Sequence, residues 1–290
     1  MGELQMQLTG KSILVSGGTD GIGRVTAETL ARMGAAVTII GRNSEKTARV
    51  AEEIRRSSGN KQVDGIAADL SEQRQVRRAA EEYRARHDRL DVLVNNAGAM
   101  YMQRQESADG IEMTVALNHM NYFLLTQALL DLLKKSAPAR IVNVSSMAHM
   151  GASLDPDNLE GKRSYSGWRQ YSNSKLMNLY FTYSLARRLE GSGVTVNALH
   201  PGFVATNFGR SNGGLFKPLF RLFQLGAISP EEGAATSIYL ASSAEVEEIN
   251  GQYFANKKAV PSSKPSYDEG MAERLWQISE GWVLAADRVG

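Results

Sequence analysis

The sequence predicts a doubly wound α/β fold, and two observations along the chain support that prediction. Short runs rich in Val, Ile and Leu alternate with longer segments of helical pattern. Apolar strands separated by helices are typical of a parallel sheet covered by helices on both faces. A glycine-rich segment, Gly17–Gly23, also joins the first apolar run directly to the first helical segment. Because crossovers between parallel strands are right-handed, we expect a single domain with a sheet of about seven strands.

The predicted strands and helices alternate along the chain. The strands are short apolar runs bounded by polar residues, glycine or proline: Ser12–Ser16, Ala36–Ile40, Val63–Ala68, Val92–Asn95, Arg140–Val144, Val194–Leu199 and Gln252–Ala255. The helices between and after them are Gly21–Met33, Ser44–Ser57, Glu72–Arg86, Gly110–Lys135, Tyr171–Glu190, Pro230–Ala241 and Asp268–Leu284.

The domain organisation follows from the position of the last strand. Residues 1–260 are expected to form the catalytic domain, and residues 261–290 a C-terminal appendage that contains the final helix. Pro261–Pro265 has the composition of a linker between the two.

Composition excludes several classes of protein. The 33 Lys and Arg against 31 Asp and Glu leave a net charge of +2, which offers no electrostatic basis for binding nucleic acid. Cysteine is absent, which excludes disulfides, thiolate metal sites and a cysteine nucleophile. The four histidines lack metal-ligand spacing, so no metal is expected. Without a signal peptide or a membrane-spanning stretch, we expect a cytoplasmic protein, with contact at a membrane surface left open.

The glycine-rich segment has the chemistry of a phosphate-binding loop. Gly17, Gly21 and Gly23 form the pattern G-x-x-x-G-x-G between the first strand and the first helix. Glycines let the backbone approach a pyrophosphate, whose charge a helix N-terminus stabilises. A ligand-free turn is the alternative, but the strand–loop–helix context favours a dinucleotide.

Three motifs together resemble the short-chain dehydrogenase/reductase family. They are the glycine pattern, Asn95-Asn96-Ala97-Gly98 and Tyr171-x-x-x-Lys175, and the likeness extends over Gly10–Phe254. Other segments resemble its retinol-dehydrogenase-like branch: Gly41-Arg42, Arg140–His149, His200-Pro201-Gly202, Gln252–Phe254 and Arg274–Trp276. The resemblance implies a Rossmann-type fold, a nicotinamide cofactor and hydride transfer between a carbonyl and an alcohol.

Arg42 predicts which nicotinamide cofactor is preferred. It follows the second strand, where an acidic residue would select NAD, and its guanidinium can bind a 2′-phosphate. We therefore expect NADP(H), with NAD(H) as the alternative, although Asp20 lies where some relatives carry a basic residue. The resemblance assigns the other cofactor contacts to Gly17, Thr19, Asp20, Gly21, Ile22, Gly23, Asn43, Asp69, Leu70, Asn95, Ala97, Gly98, Tyr171, Lys175, Pro201, Gly202, Val204 and Thr206.

The Tyr171-x-x-x-Lys175 pair predicts an acid/base group. Residues four apart lie one turn apart on one helix face, and a nearby ammonium lowers the pKa of a phenol from about 10. Ser146, after the fifth strand, can hydrogen-bond the substrate oxygen beside Tyr171. The resemblance gives Asn118 a place in a proton relay through Lys175 and a water. As a lone helical asparagine it would be expected at the surface.

The stretch from Phe203 to Leu225 is rich in Phe and Leu, and it predicts an apolar lid within about residues 203–228. Packing on the domain, a subunit interface or a membrane contact are the alternatives. Gly151–Ser166 should form the opposite wall of the substrate site. The predicted substrate contacts are Ser146, Met147, Phe203, Phe208 and Phe216.

These features predict an NADP(H)-dependent oxidoreductase for a bulky hydrophobic carbonyl or alcohol, such as a retinoid, a steroid or a lipophilic aldehyde. A cofactor-binding regulator or scaffold with little turnover is the alternative. The resemblance also suggests a homodimer that pairs the helices Gly110–Lys135 and Tyr171–Glu190, unless the C-terminal appendage alters this pairing.

Overall fold

The computed structural model describes residues 7–202 and 228–287, which fold around one eight-stranded sheet. The strands are β1 (Ser12–Ser16), β2 (Ala36–Gly41), β3 (Val63–Ala67), β4 (Val92–Asn95), β5 (Ala139–Val144), β6 (Val194–Leu199), β7 (Tyr253–Ala255) and β8 (Lys258–Ala259). Their spatial order is β3-β2-β1-β4-β5-β6-β7-β8, and only the β7–β8 pairing is antiparallel. The predicted doubly wound α/β fold is confirmed. The prediction missed β8, because two exposed residues leave no apolar pattern.

The helices of the described residues agree with the predicted ones in order. They are α1 (Gly21–Arg32), α2 (Ser44–Ser58), α3 (Gln73–Arg86), α4 (Met113–Val115), α5 (Asn121–Lys135), α6 (Gly167–Arg188), α7 (Pro230–Ser242) and α8 (Glu269–Asp287). A π turn, Ala116–Met120, joins α4 to α5, and 3-10 turns cover Met147–Gly151, Ala244–Val246 and Lys264–Tyr267. Side-chain caps fix several starts, such as Asp20 at α1 and Asn43 at α2.

Two helices begin elsewhere than the sequence predicts. The helix expected from Gly110 begins at Met113, where the Glu112 side chain accepts a hydrogen bond from a backbone N–H of the first turn. The helix expected from Tyr171 begins at Gly167, because the serine that precedes it caps the helix. Both starts depend on capping groups outside the apolar pattern, so the pattern alone misplaced them.

Helices cover both faces of the sheet. The Ile13 and Val15 side chains pack with α1, α2 and α7, whereas Leu14 packs on the other face with α3, α5, α6 and α8. Both faces of β1 are therefore buried, which explains why its sequence is a continuous apolar run.

The final helix packs on the second of these faces. The Trp276 ring of α8 lies 5.0 Å from the Phe123 ring of α5 and 6.0 Å from the Phe181 ring of α6. Ala272 and Leu275 of α8 are buried in the same cluster. The helix therefore covers part of α5 and α6, the helices that the resemblance pairs in a dimer, and the homodimer stays a prediction. Within residues 7–202 and 228–287, no helix combines the length and apolar character needed to cross a bilayer.

The strand order places a crevice at one edge of the sheet. From β1 the chain continues to β2 and β3 on one side, whereas from β4 it continues to β5 and β6 on the other side. In such folds ligands bind at the carboxyl ends of the two strands where the direction changes, here β1 and β4. The Ser16 hydroxyl, at the end of β1, accepts hydrogen bonds from the N–H groups of Asn96 at 2.9 Å and Ala97 at 3.1 Å. These bonds hold the glycine loop, Gly17–Gly23, against the segment that follows β4.

Candidate active site

The glycine loop has space for backbone only. Gly17 adopts a φ of +67°, and a Cβ on Gly23 would lie 2.3 Å from the Gly17 carbonyl oxygen and 2.4 Å from Asn96 Nδ2. The Asn96 amide donates hydrogen bonds to the Ser16 and Gly17 carbonyl oxygens. Asn96 was not among the predicted contacts, although it is the second residue of the Asn95–Gly98 motif.

This cradle fits a pyrophosphate. The loop leads into the N-terminus of α1, where Asp20 accepts a hydrogen bond from the Gly21 N–H at 2.9 Å. The next N–H groups of the first turn have no partner within the helix, as at any helix start. Together with the helix dipole they favour a bound phosphate group. Thr19 and Ile22 lie in this loop, and a Cβ on Gly41 at the end of β2 would meet the Thr19 methyl at 2.3 Å.

Charged side chains surround the end of β2. The Arg42 side chain is 74% exposed, and its Nη1 lies 3.9 Å from Asp69 Oδ2. Lys46 Nζ lies 3.0 Å from Asp20 Oδ2, and the Asn43 side chain accepts a hydrogen bond from the Lys46 N–H as the cap of α2. Asp20, the residue that argued against NADP(H), is therefore paired with a cation. Sequence reasoning missed Lys46, which lies four residues after Arg42 in the first turn of α2.

The end of β3 supplies a small capped turn. The Asp69 carboxylate accepts hydrogen bonds from the Ser71 N–H at 3.0 Å and the Ser71 hydroxyl at 2.7 Å, and Leu70 is buried. Asn95, predicted on the adenosine side, is fully buried, and its amide donates to Thr126 Oγ1 and Asn143 Oδ1. The Asn95 side chain therefore joins β4 to β5 and α5.

The four predicted catalytic residues come together beside the glycine loop. Ser146 is close enough to Tyr171 for a side-chain hydrogen bond to oppose the rise of the tyrosine pKa, and Lys175 Nζ lies 5.7 Å from the centroid of the Tyr171 ring. A Cβ on Gly98 would lie 3.1 Å from Asn118 Oδ1 and 3.4 Å from Lys175 Nζ. Gly98 thus leaves the space into which both polar groups point.

Asn118 is fully buried in the π turn, and the expectation that a lone helical asparagine lies at the surface is wrong. Its Oδ1 accepts from the Ala99 N–H at 2.8 Å, and its Nδ2 donates to the Ala99 carbonyl and to Ser174 Oγ, both at 2.9 Å. The side chain therefore joins the loop after β4 to α6. Such π turns occur frequently at functional sites.

Burial sets the protonation of the acid/base pair. It raises the pKa of Tyr171 to about 12, although the hydrogen bond with Ser146 opposes the shift. Burial also lowers the pKa of Lys175 to about 7, while its Nζ donates to the Val144 carbonyl oxygen at 3.0 Å. The sequence predicted a lowered tyrosine pKa, but loss of hydration raises the pKa here. Tyr171 is consequently a protonated phenol at neutral pH.

Backbone contacts hold Ser146 and the segment after β6. Ser146 caps the 3-10 turn Met147–Gly151, with its hydroxyl accepting from the Ala148 N–H at 3.2 Å. His200 Nδ1 accepts from the N–H of Gly202, which follows Pro201 and has a φ of +89°. The predicted contacts Val204, Thr206, Phe203, Phe208 and Phe216 lie outside the described residues.

Exposed apolar side chains lie on the segments that carry Ser146 and Tyr171. Met147 and Trp168 are each 59% exposed and Met150 is 51% exposed, and the Trp168 ring lies 6.2 Å from the Tyr171 ring. The Tyr165 hydroxyl of the Gly151–Ser166 segment donates to the Tyr101 carbonyl at 2.7 Å, which fixes that segment to the loop after β4. We call Met147, Met150 and Trp168 the apolar rim.

Comparison with known proteins assigns the chain to a family. A family profile described as short chain dehydrogenase matches residues 11–213. The chain belongs to this family. Human retinol dehydrogenase 14 is 43% identical over 290 residues, covering 94% of this chain and 86% of the relative. Human retinol dehydrogenase 11 is 41% identical over 274 residues, with the same coverage. This short-chain dehydrogenase therefore lies in the retinol-dehydrogenase-like branch, as its motifs predicted.

Solved structures agree with this assignment. An uncharacterized protein from Mycobacterium paratuberculosis matches this short-chain dehydrogenase with a TM-score of 0.77 and 31% identity, over 95% of this chain and 94% of that one. RhlG from Pseudomonas aeruginosa, in an NADP active-site complex, matches with a TM-score of 0.69 and 31% identity, over 88% and 97% of the two chains. The fold and the general activity of an oxidoreductase follow from the family.

Proposed function

We propose that the protein is an NADP(H)-dependent oxidoreductase that interconverts a carbonyl and an alcohol on a bulky hydrophobic substrate. The observation that carries this proposal is the cluster of Ser146, Tyr171, Lys175 and Asn118 at the carboxyl edge of the sheet, beside a loop that only glycine can form. A regulator that merely binds the cofactor would not need these four side chains together.

The protein's own groups prepare the oxygen of the substrate. When bound, the nicotinamide supplies or accepts the hydride. The Ser146 and Tyr171 hydroxyls hydrogen-bond the carbonyl oxygen and stabilise the negative charge that develops on it. Tyr171, protonated at neutral pH, donates its proton to that oxygen. The Lys175 amine stabilises the resulting tyrosinate, and a water held near Asn118 returns the proton through Lys175.

The charged side chains around the end of β2 support a preference for NADP(H) over NAD(H). Arg42 and Lys46 place two cations near the expected adenosine ribose, with Lys46 pairing the carboxylate of Asp20. A 2′-phosphate would gain charge-assisted hydrogen bonds from both cations. The NADP complex of RhlG supports the same preference.

The apolar rim supports a hydrophobic substrate. Large exposed apolar side chains near reactive groups favour an apolar ligand. Relatives named retinol dehydrogenases direct the choice towards a retinoid, with steroid-like substrates and lipophilic aldehydes as the wider class. The predicted lid at about residues 203–228 lies, apart from Ile228, outside the described residues.

The test measures turnover of retinal, a ketosteroid and a lipophilic aldehyde, with NADPH and with NADH. We expect retinal with NADPH to give the highest kcat/KM. Ser146→Ala should lower kcat by about 10²–10³, the usual effect of losing one donor to a developing oxyanion. Binding of NADPH without turnover of any carbonyl or alcohol would instead identify a cofactor-binding regulator.

A further inference from the structure

His149 lies in the middle of the 3-10 turn that Ser146 caps, and its ring bridges two backbone groups. Its Nδ1 lies 2.6 Å from the Ser146 carbonyl oxygen, and its Nε2 lies 3.1 Å from the backbone nitrogen of Ser263. The side chain is fully buried. Although 114 positions separate His149 from Ser263, the ring joins the segment after β8 to the candidate catalytic serine.

The two contacts fix the tautomer of the ring. The Ser263 backbone N–H can only donate, so Nε2 must accept and carries no proton. The single proton of the neutral ring therefore resides on Nδ1 and is donated to the Ser146 carbonyl oxygen. Burial lowers the pKa of His149, which keeps the ring neutral.

The partner segment is itself held by α6. We call Pro261–Tyr267 the serine turn. The Tyr180 hydroxyl donates to the Pro265 carbonyl oxygen at 2.9 Å, and Tyr183 Oη lies 2.6 Å from Ser262 Oγ. The Tyr183 ring also stacks on the Tyr267 ring, with centroids 5.5 Å apart. The serine turn is therefore fixed to the helix that carries Tyr171 and Lys175.

These contacts close a ring of interactions around the site. Tyr171 lies on α6, and α6 contacts the serine turn. The serine turn contacts His149, which in turn contacts the backbone of Ser146. The Tyr253 ring packs against His149 in an edge-on contact at 4.9 Å and restricts its rotation. His149 thus links the backbone of Ser146, through the serine turn, to the helix that carries Tyr171.

We propose that His149 is a positioning residue, which transmits the location of the serine turn to Ser146 and so sets the geometry of the Ser146–Tyr171 pair. The inference rests on the proposed function, because it presumes that Ser146 binds the substrate oxygen. It also assigns a role to the residues beyond position 260, which the sequence motifs leave without one.

Two substitutions separate the two contacts of the ring. An Asn amide reaches about as far as Nδ1, so His149→Asn can keep the donor to Ser146. A Gln amide reaches about as far as Nε2, so His149→Gln can keep only the acceptor for the Ser263 N–H. His149→Phe removes both hydrogen bonds and keeps a ring. His87→Asn and His87→Gln are matched controls, since His87 bonds Thr38 on the opposite part of the sheet.

We expect His149→Phe and His149→Gln to lower kcat by about 10- to 100-fold, the cost of a small misplacement of a reacting group. The KM for NADPH should change little, and His149→Asn should restore most of the lost kcat. The His87 variants should retain wild-type kcat. Nitrogen-15 NMR of the histidine rings in the full chain should show Nδ1 protonated in His149.

Protonation of His149 at Nε2, or equal kcat for the Asn, Gln and Phe variants, would overturn the inference. Ser146→Ala serves as the reference variant. If Ser146→Ala keeps full turnover, the proposed role of Ser146 is wrong. If it loses turnover while the three His149 variants match the wild type, only the positioning role is wrong. The NMR measurement uses the wild-type chain, so protonation at Nε2 would overturn the inference even where a variant does not fold.

Discussion

The cofactor half of the site and its catalytic half are built differently. In the cofactor half, β1–β3 with α1 and α2, the predicted contacts are backbone groups and exposed charges, with Arg42 74% exposed. In the catalytic half, β4–β6 with α4–α6, Asn118 and Lys175 are at most 3% exposed and Tyr171 is 8% exposed. Substitutions of the exposed charges in the first half should therefore change specificity at little cost in stability, whereas those in the second half change chemistry and packing together.

Tyr171→Phe should have the largest effect. Removal of the proton donor is expected to lower kcat by about 10²–10⁴, with the affinity for NADPH retained. Tyr83→Phe is the matched control, because Tyr83 is a buried tyrosine on α3 whose hydroxyl bonds Ser12 and Arg89, remote from the site. Steady-state turnover and NADPH binding measure both variants. Near-wild-type kcat in Tyr171→Phe would remove the proposed acid/base.

Gly23→Ala tests whether the glycine loop tolerates any side chain. The added Cβ would lie 2.3 Å from the Gly17 carbonyl oxygen, so the loop must move. We expect a loss of about 1–3 kcal/mol in the free energy of unfolding, as for other overpacked sites, and weaker NADPH binding. Gly281→Ala on α8 meets no atom within 4 Å and should leave NADPH binding unchanged, while stability rises by about 0.5–1 kcal/mol, as when alanine replaces glycine within a helix. Equal behaviour of the two variants in thermal melts and NADPH titration would contradict the close approach.

Arg42→Ala should change the cofactor and little else. Loss of a charge-assisted contact to phosphate, worth about 1.5–3 kcal/mol, corresponds to a fall of about 10- to 100-fold in the NADPH/NADH ratio of kcat/KM. Lys46→Ala should lower the ratio as well. Arg49→Ala, an exposed arginine on the same helix that pairs with Glu53, is the control. An unchanged ratio in Arg42→Ala would leave NADP(H) preference without support.

Ser279→Ala should have the smallest effect, and on stability alone. The Ser279 hydroxyl donates to the Leu275 carbonyl, so it accepts from Nε2–H of His119, a fully buried ring whose pKa burial lowers to about 3. Its removal should cost about 1–3 kcal/mol, the cost of one unsatisfied buried donor. Ser242→Ala is the control. The Ser242 hydroxyl also donates to a carbonyl four residues earlier in its helix, so this variant measures the cost of losing that intrahelical bond alone. If denaturant melts show no difference between the two variants, α8 does not depend on this contact.

Sequence predicts best where the information is local. The strands, the glycine loop and the Tyr171–Lys175 pair follow from short apolar runs, from glycine and from helical spacing, and the structure brings Tyr171 together with Ser146 as expected. The start of α6 was misplaced, because its capping serine precedes any apolar pattern. Lys46 was missed, because its importance depends on which carboxylate it meets in the folded chain.

The sequence by itself determined the order of elements, the phosphate-binding loop and the family chemistry, since each is written in residues close together along the chain. Tertiary structure decided the burial of Asn118, the protonation of Tyr171 and the contact of His149 with Ser263. These properties depend on hydration and on hydrogen-bond partners from distant segments, which come together only when the chain folds. A pattern of residue types along the chain therefore does not predict them.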